Sequence, residues 1–558
     1  MLGVLGMQSR VQITSIGGHR TLPDSTMEIH VAQHREANNG PGPGPGPGDV
    51  AGHADPISRW KKNLLTAIIL LGLMFSCVDT SIVSTALVQI SHDLNSDKNI
   101  NWTVLAYLLT YMSFSVGFSK LSDIFGRKTR SITTLIVGRA FQGIGGAGLY
   151  ALSQVSLVEL GPVGPDSIGA LIGITLSVSY ILGPILGGVI ASHWMWQGIF
   201  WINVPAGALA IIGITLLWPQ ERRGGLKAAT AICRIDFIGN ILLVLASILL
   251  VFGIQEAGSR TWEWRSPVII ATLTSSAVCW VLLTLWEVFL NGRANRNIEP
   301  VFPARLFQSR VYVANVILTL LVGFSFVALI IEIPEKLEMV EGDQAMQAGL
   351  KLLPLLAACA FGSVVAGMAS KSKNLSSQTM MAGSLLQIVG LAVLYKLGTD
   401  TNLAALYGST FTYGLGVGLC FAAGTIIAAV EARNADLAAA HGCISQARVL
   451  GGAIGIATCT IILPRAPSAA LAPPPQQQQQ QQAAWGPFRH DYTAGFARAV
   501  FVMVLVAVAA AAASVGTYRR NPASVALSLS QHKDRPARAS DTELEDLGSV
   551  RSARRNVV

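Results

Sequence analysis

Several residues in this chain carry charge or backbone freedom into apolar surroundings, and their types and spacing limit the chemistry they could do. Asp79 lies in Cys77-Val78-Asp79-Thr80-Ser81-Ile82-Val83, in the middle of an apolar run. An ionised carboxylate is costly there, so Asp79 either takes up and releases a proton or makes a structural hydrogen bond to a neighbouring helix. Arg139 and Gln142, in Gly138-Arg139-Ala140-Phe141-Gln142-Gly143, fall early in another such run. A cation within a membrane span costs at least ~2.5 kcal/mol, and it is paired, functional or drawn out to the interface. Residues 119–128 gather Lys120, Asp123, Arg127 and Lys128 around Gly126. Asp123 facing Arg127 and Lys128 across a glycine-permitted turn could form a charge-assisted latch, and an ordinary cytosolic loop is the other reading. Pro184, flanked by Gly183, Gly187 and Gly188, removes a helical backbone bond where small neighbours permit bending and close contact. Arg448, followed by Gly451 and Gly452, stands about two turns inside a further run and could pair or snorkel.

Other chemistries lack their context. Gly143, Gly145 and Gly148 match G-x-G-x-x-G, but no strand precedes them and no βαβ unit surrounds them, so close helix contact explains them better. His30 and His34 have helical metal spacing without a further ligand. The seven cysteines are scattered, lack C-x-x-C spacing and read as small buried hydrophobes. With no metal-ligand cluster, nucleophile constellation or phosphate loop, neither an enzyme nor a cofactor is expected.

The elements that must hold these residues follow from composition. Of 558 residues, 51% are hydrophobic and 13% charged, about half the charge of a soluble domain. The ends take a large share of that charge, and the middle has too little polar surface for water. The net charge of +9 would suggest nucleic acid in a soluble protein. Here the bases sit in short gaps between apolar runs, the positive-inside pattern of a multispan protein, so no nucleic-acid partner is expected. The first ten residues lack a continuous apolar stretch before a cleavage site, so the first membrane helix is expected to do the targeting.

Apolar runs of about 20 residues, enough to cross a ~30 Å hydrocarbon layer, fall at 64–90, 102–121, 136–159, 168–191, 197–218, 236–256, 267–290, 311–333, 345–368, 379–398, 403–430, 441–463 and 496–517. Trp60, Trp102, Trp194, Trp196, Trp262 and Trp264 lie near run ends, as belt residues do. Glu287, Glu332 and Glu431, also near run ends, are assigned to interfaces. Arg59, Lys61 and Lys62 place the N-terminal side in the cytosol, and from residue 218 onward strict alternation fits every charge cluster. Upstream it fails. Residues 120–130 are cytosolic counting forward, yet the run at 136 must enter from outside counting back. Eight residues of helix span only ~12 Å, so one crossing is missing: alternation demands fourteen and thirteen are visible.

Together these stretches resemble the major facilitator superfamily, specifically its fourteen-spanner drug:proton antiporter branch, close to fungal toxin and multidrug efflux pumps. Asp79-Thr80-Ser81-Ile82-Val83 resembles the first-helix motif. Residues 119–128 resemble the loop motif G-x-L-x-D-x-x-G-R-K, with Ser119 in place of glycine. Arg139 with Gln142-Gly143 resembles the fourth-helix R-x-x-x-Q-G motif. Gly183-Pro184 with Gly187-Gly188 resembles the fifth-helix antiporter motif, with Ser179 in place of its leading glycine. Trp196, the stretch Phe200-Trp201-Ile202-Asn203-Val204-Pro205-Ala206-Gly207, and Arg448 to Gly455 extend the likeness, which covers about 60–517. In the family the third helix lies between the loop motif and R-x-x-x-Q-G, and here only residues 129–137 separate them. The absent crossing and the family pattern therefore meet at one place. Either the gene holds a further coding segment after Arg130, or the chain is a variant with impaired transport.

The resemblance implies an all-α integral membrane protein of the major facilitator fold: two six-helix bundles (59–218, lacking its third helix near 130–138, and 311–517) with two linking helices within 236–290. Disordered cytosolic tails at 1–58 and 518–558 and a Gln-rich loop at 464–495 complete the expectation. It further implies alternating-access efflux of small amphipathic organic compounds driven by inward proton flow, with the proton gradient as energy source. Asp79 would take a proton from outside and loosen its pairing with Arg139, aided by Gln142. The Pro184 helix would bend, and Asp123 with Arg127 would steady the outward-facing form. The expected partners are lipid, protons and one organic substrate, for a monomer in the plasma membrane, with the vacuolar membrane as the alternative. Other readings are a carrier of iron chelates or sugars, and a membrane protein that does not transport. Asn101-Trp102-Thr103 forms a glycosylation sequon so close to the membrane that it is expected to be unused.

Overall fold

The computed structural model describes residues 58–519 apart from 85, 95–99, 114–131, 161–164, 194, 219–235, 293–299, 373, 398–401, 433–435 and 465–477. The tails expected at 1–58 and 518–558, save Ser58, Tyr518 and Arg519, and the proposed latch at Asp123, Gly126, Arg127 and Lys128, lie outside the described residues. All regular structure among the described residues is helical. The first part of the chain forms α1 (Arg59–Ile82), α2 (Leu87–Leu94), α3 (Trp102–Ser113), α4 (Ile132–Leu160), α5 (Pro165–His193), α6 (Gly198–Trp201) and α7 (Asn203–Leu217). Two linking helices follow, α8 (Phe237–Gly258) and α9 (Pro267–Gly292), then the short α10 (Ala304–Phe307). The C-terminal part forms α11 (Arg310–Lys336), α12 (Ala345–Lys351), α13 (Leu353–Ser372), α14 (Ser376–Lys396), α15 (Leu403–Glu431), α16 (Leu437–Ile462) and α17 (Gln478–Gly516).

Among the described residues, eleven stretches are long and apolar enough to cross a bilayer. The short apolar helix α3 and the 29-residue α4, which Arg139, Gln142 and its glycines make less apolar, fall in two further runs expected from the sequence. Each expected run overlaps a helix among the described residues, the run at 102–121 only as far as Ser113. The protein is a multipass membrane protein, and its apolar exterior is the lipid-facing surface: Ile241, Leu245, Val281, Leu285 and Val288 of the linking helices are all exposed.

Two boundaries differ from the sequence expectation. The first run breaks after Ile82, where Ser84 Oγ donates to the Ser81 carbonyl at 2.6 Å and supplies a local partner that competes with the helical bond. The last helix starts at Gln478, well before 496, so the segment expected as a Gln-rich loop (464–495) is helical from Gln478 onward. Gln and Ala are good helix formers and simply extend the membrane helix outward.

The sense of the helices bears directly on the odd count. Arg139 pairs with Asp79, Ser76 bonds the Gly146 carbonyl and Ser153 bonds the Ile69 carbonyl, so α4 runs antiparallel to α1. Along α3 the order is the reverse. Thr103 meets Arg139, while Tyr111 lies against Gly146, so α3 and α4 are parallel neighbours. The C-terminal bundle contains the same arrangement: α13 and α15 are parallel, with Leu355 beside Gly414 and Cys359 beside Gly418. There the chain returns between them through the 21-residue α14, which packs on α15. In the N-terminal bundle only residues 114–131 are available for the return. At ~1.5 Å per residue of helix, Ser113 and Ile132 stand about 25 Å apart along the shared direction of α3 and α4. A helix through 114–131 would carry Lys120, Asp123, Arg127, Lys128 and Arg130 into lipid, each costing roughly 2.5–3.5 kcal/mol at mid-membrane.

Candidate functional site

Three helices of the N-terminal bundle converge on Asp79. Arg139 of α4 donates from Nη1 to Asp79 Oδ2 at 2.8 Å. Gln142, one turn along α4, and Asn203, at the start of α7, both donate to Oδ1 at 2.8 Å. The carboxylate thus has three donors. The arginine is equally well satisfied: Nε donates to the Thr103 carbonyl at 3.1 Å, Nη1 also to Gln142 Oε1 at 3.0 Å, and Nη2 to the Asp79 carbonyl at 3.3 Å. Its guanidinium stacks on Tyr107 at 4.1 Å and lies 5.5 Å from the Phe200 ring. Asp79 is 3% exposed and Arg139 1%, so water does not screen this pair. Burial requires such full pairing, because a single uncompensated charge here would cost several kcal/mol. The network can do one chemical thing readily. Protonation of the carboxylate removes the anion that balances Arg139, while Oδ1 can go on accepting from Gln142 and Asn203.

Of the expected residues, Asp79, Arg139 and Gln142 are therefore brought together, and Arg139 is fully buried, with no snorkelling to the interface. Asn203, Thr103 and Tyr107 complete the site. Asn203 stood in a motif already noted, a polar side chain at the head of an apolar run, which is the signal that could have found it. Thr103 contributes only a carbonyl, for which a sequence carries no signal.

The antiporter stretch lies against this site. Pro184 is inside α5. Gly183 packs on Ser81 and Ile82 of α1, where a Cβ would come 2.9 Å from the Ser81 Cβ and 3.0 Å from the Ile82 nitrogen. Gly188 packs instead on the start of α12, with a Cβ 2.7 Å from Met346 Cα. Gly187 is buried between them in sequence. One helix thus touches the Asp79 segment and the C-terminal bundle through residues that leave no room for a side chain. Gly183→Leu should overpack this contact by about 1–3 kcal/mol and lower the melting temperature in fluorescence-detected size exclusion, whereas Gly207→Ala, with open space around it, should leave it unchanged.

Arg448, Gly451 and Gly452 lie elsewhere, on α16. Gly452 abuts Val327 of α11, and Gly451 abuts the backbone of Leu320 and Phe324, so both serve close α11–α16 packing. Arg448 is 5% exposed. It reaches from the C-terminal bundle to Tyr150 of α4, donating from Nη1 at 3.1 Å, and stacks on Phe421 at 4.0 Å. It neither snorkels nor pairs with an acid among the described residues.

At the outer end the bundles are joined. Asn101 Nδ2 donates to Thr460 Oγ1 at 3.0 Å, Thr460 Oγ1 donates to Gln255 Oε1 at 3.1 Å, and Trp102 Nε1 donates to Glu256 Oε1 at 2.8 Å. The linking helix α8 thereby ties α3 to α16. The sequon at Asn101 is engaged in this seal, with Thr103 fully buried, so the protein should show no mobility shift on endoglycosidase treatment. Two sequence assignments change here. Trp196 is buried and donates to Asp93 Oδ2 at 3.0 Å, so it is not a belt residue. Glu332 and Glu287, expected at interfaces, are buried, because helix packing encloses the run ends that hold them. Glu431 does sit at an end, accepting from Ser309 and Arg519.

Comparison with known proteins places this geometry in context. The family model described as Major Facilitator Superfamily matches residues 129–456. The MFS-type transporter FPY5 of Fusarium mangiferae is 34% identical over 436 residues, covering 72% of this chain and 72% of that protein. Multidrug resistance protein 3 of Bacillus subtilis (strain 168) is 28% identical over 375 residues, covering 63% and 70%. The Aspyridones efflux protein of Neocamarosporium betae is 26% identical over 470 residues, covering 79% and 81%. Among solved structures, the xylose transporter XylE from E. coli in a partially occluded inward open conformation aligns with a TM-score of 0.47 and 12% identity, over 81% of this chain and 97% of that one.

Proposed function

This chain belongs to the Major Facilitator Superfamily, so it is a membrane transporter and not an enzyme, and from that premise we propose that it exports small amphipathic organic compounds in exchange for protons. The observation that carries this reading is the buried Asp79–Arg139 pair, which joins α1 to α4 and, through Asn203, to α7. A proton arriving from outside neutralises Asp79 and removes the anion that all three donors share. The site then prefers a different arrangement of those helices, and α5, wedged by Gly183 and Gly188 between α1 and the C-terminal bundle, passes the change across the interface. Substrate occupies the space between the bundles near the midplane, exposed to each face in turn. Relatives named for efflux and multidrug resistance support the outward direction. The protein acts as a monomer in the plasma membrane and needs no bound cofactor.

The test is uptake of a fluorescent drug into everted vesicles containing the protein. Acidifying the lumen should drive uptake, and a protonophore should stop it. Uptake indifferent to the gradient would sink proton coupling, and import into right-side-out cells would reverse the direction. A second reading, a membrane protein that does not transport, draws on the parallel α3 and α4 and the short return between them. Vesicles in which the protein is present, monodisperse and inactive toward every gradient would favour it.

A further inference from the structure

The two buried arginines of the central region are in opposite states. Arg139 has a carboxylate, three further acceptors and two aromatic faces around it. Arg448 is 5% exposed, yet its one recorded hydrogen bond goes to the neutral hydroxyl of Tyr150, and its Nε has no partner. Among the described residues no carboxylate forms an ion pair with it. A buried, unneutralised guanidinium is strongly disfavoured unless something anionic joins it for part of the working cycle.

The surroundings of Arg448 are also unusual. It lies where the bundles meet, inside a set of aromatic rings drawn from both. Its guanidinium stacks on Phe421, Phe421 is edge-to-face with Phe326 at 5.1 Å, and Phe326 with Tyr180 of α5 at 5.3 Å. On the other side Tyr150 is edge-to-face with Tyr111 at 5.8 Å. When the bundles part, as alternating access requires, the Arg448–Tyr150 and Phe326–Tyr180 contacts are the ones that open. They then present a cation flanked by flat apolar surfaces.

We propose that Arg448, with Tyr150, Tyr180, Phe326 and Phe421, is the substrate's anion site, and that the exported compounds are organic anions with a flat aromatic or conjugated body. The planar fork of arginine suits a carboxylate or an enolate, and the rings suit the remainder of such a molecule. The assignment deepens the efflux reading and rests on it for the direction of transport. It does not need that reading for binding.

The experiment uses two probes with the same xanthene ring and opposite charge, fluorescein and rhodamine 6G, titrated into the purified full chain and read by fluorescence anisotropy. Fluorescein should bind saturably and at least tenfold more tightly than rhodamine 6G. R448Q should weaken fluorescein binding at least tenfold, and R448K should restore most of it, with all three proteins eluting as the same monodisperse peak. No saturable fluorescein binding, tighter binding of rhodamine 6G, or an undiminished affinity in R448Q would overturn the assignment. Should R448Q not fold, the fluorescein-to-rhodamine ratio of the unaltered chain still decides the matter. No proton gradient is involved, so a chain that binds fluorescein and fails to pump it sinks the efflux reading alone. A chain that pumps another drug and ignores fluorescein sinks the anion site alone.

Discussion

Asp79→Asn should reduce proton-driven uptake into everted vesicles by more than a hundredfold while leaving a folded protein. The amide keeps an oxygen for Gln142 and Asn203, so two of the three bonds to that side chain survive, but it cannot cycle between charged and neutral forms. Arg139→Ala should act differently. It strands a carboxylate that is 3% exposed, and breaking a buried pair by removing one partner costs roughly 3–5 kcal/mol. The single substitution should therefore appear as low yield and a strongly lowered melting temperature. Adding Asp79→Asn to the Arg139→Ala background should recover much of that stability without recovering transport, because the two sites are in contact and their effects do not add. Thermal melts by fluorescence-detected size exclusion and the vesicle assay separate the two readouts. Undiminished coupled transport in Asp79→Asn would exclude this carboxylate as the proton carrier.

The second large effect concerns the return between α3 and α4. Inserting an apolar helix of about 21 residues after Arg130, the length of α14 in the other bundle, should raise proton-driven uptake at least tenfold over the unaltered chain. It should also place both tails in the cytosol, as tags digested only from that face would show. The physical reason is that α3 and α4 descend side by side, as α13 and α15 do, and a chain can descend twice only if it climbs in between. Residues 114–131 are too charged to climb through lipid as a bare helix. A transcript carrying 25 to 30 further codons at this junction would supply the same element naturally. Full extrusion by the unaltered chain, with its tails on opposite faces, would remove the need for any insertion.

Sequence alone pointed to a chain of many membrane-spanning helices, since spanning lipid demands about twenty apolar residues and cytosolic loops gather lysine and arginine. It also located Asp79, Arg139 and Gln142 as charged or polar groups that membrane burial makes expensive. Position along the chain could not say which of these groups meet. Asp79 and Arg139 are separated by sixty residues, and only helix packing brings them to 2.8 Å. The same holds for Asn203, for the carbonyl of Thr103, and for the Gln-rich stretch that joins α17. Arg448 shows the difference most sharply. From sequence it could equally have paired or snorkelled, and the tertiary structure turned it toward the opposite bundle, where it meets aromatic rings and, among the described residues, forms no ion pair with an acid. An ion pair or its absence is a property of distance in space, and only the packed bundle sets that distance.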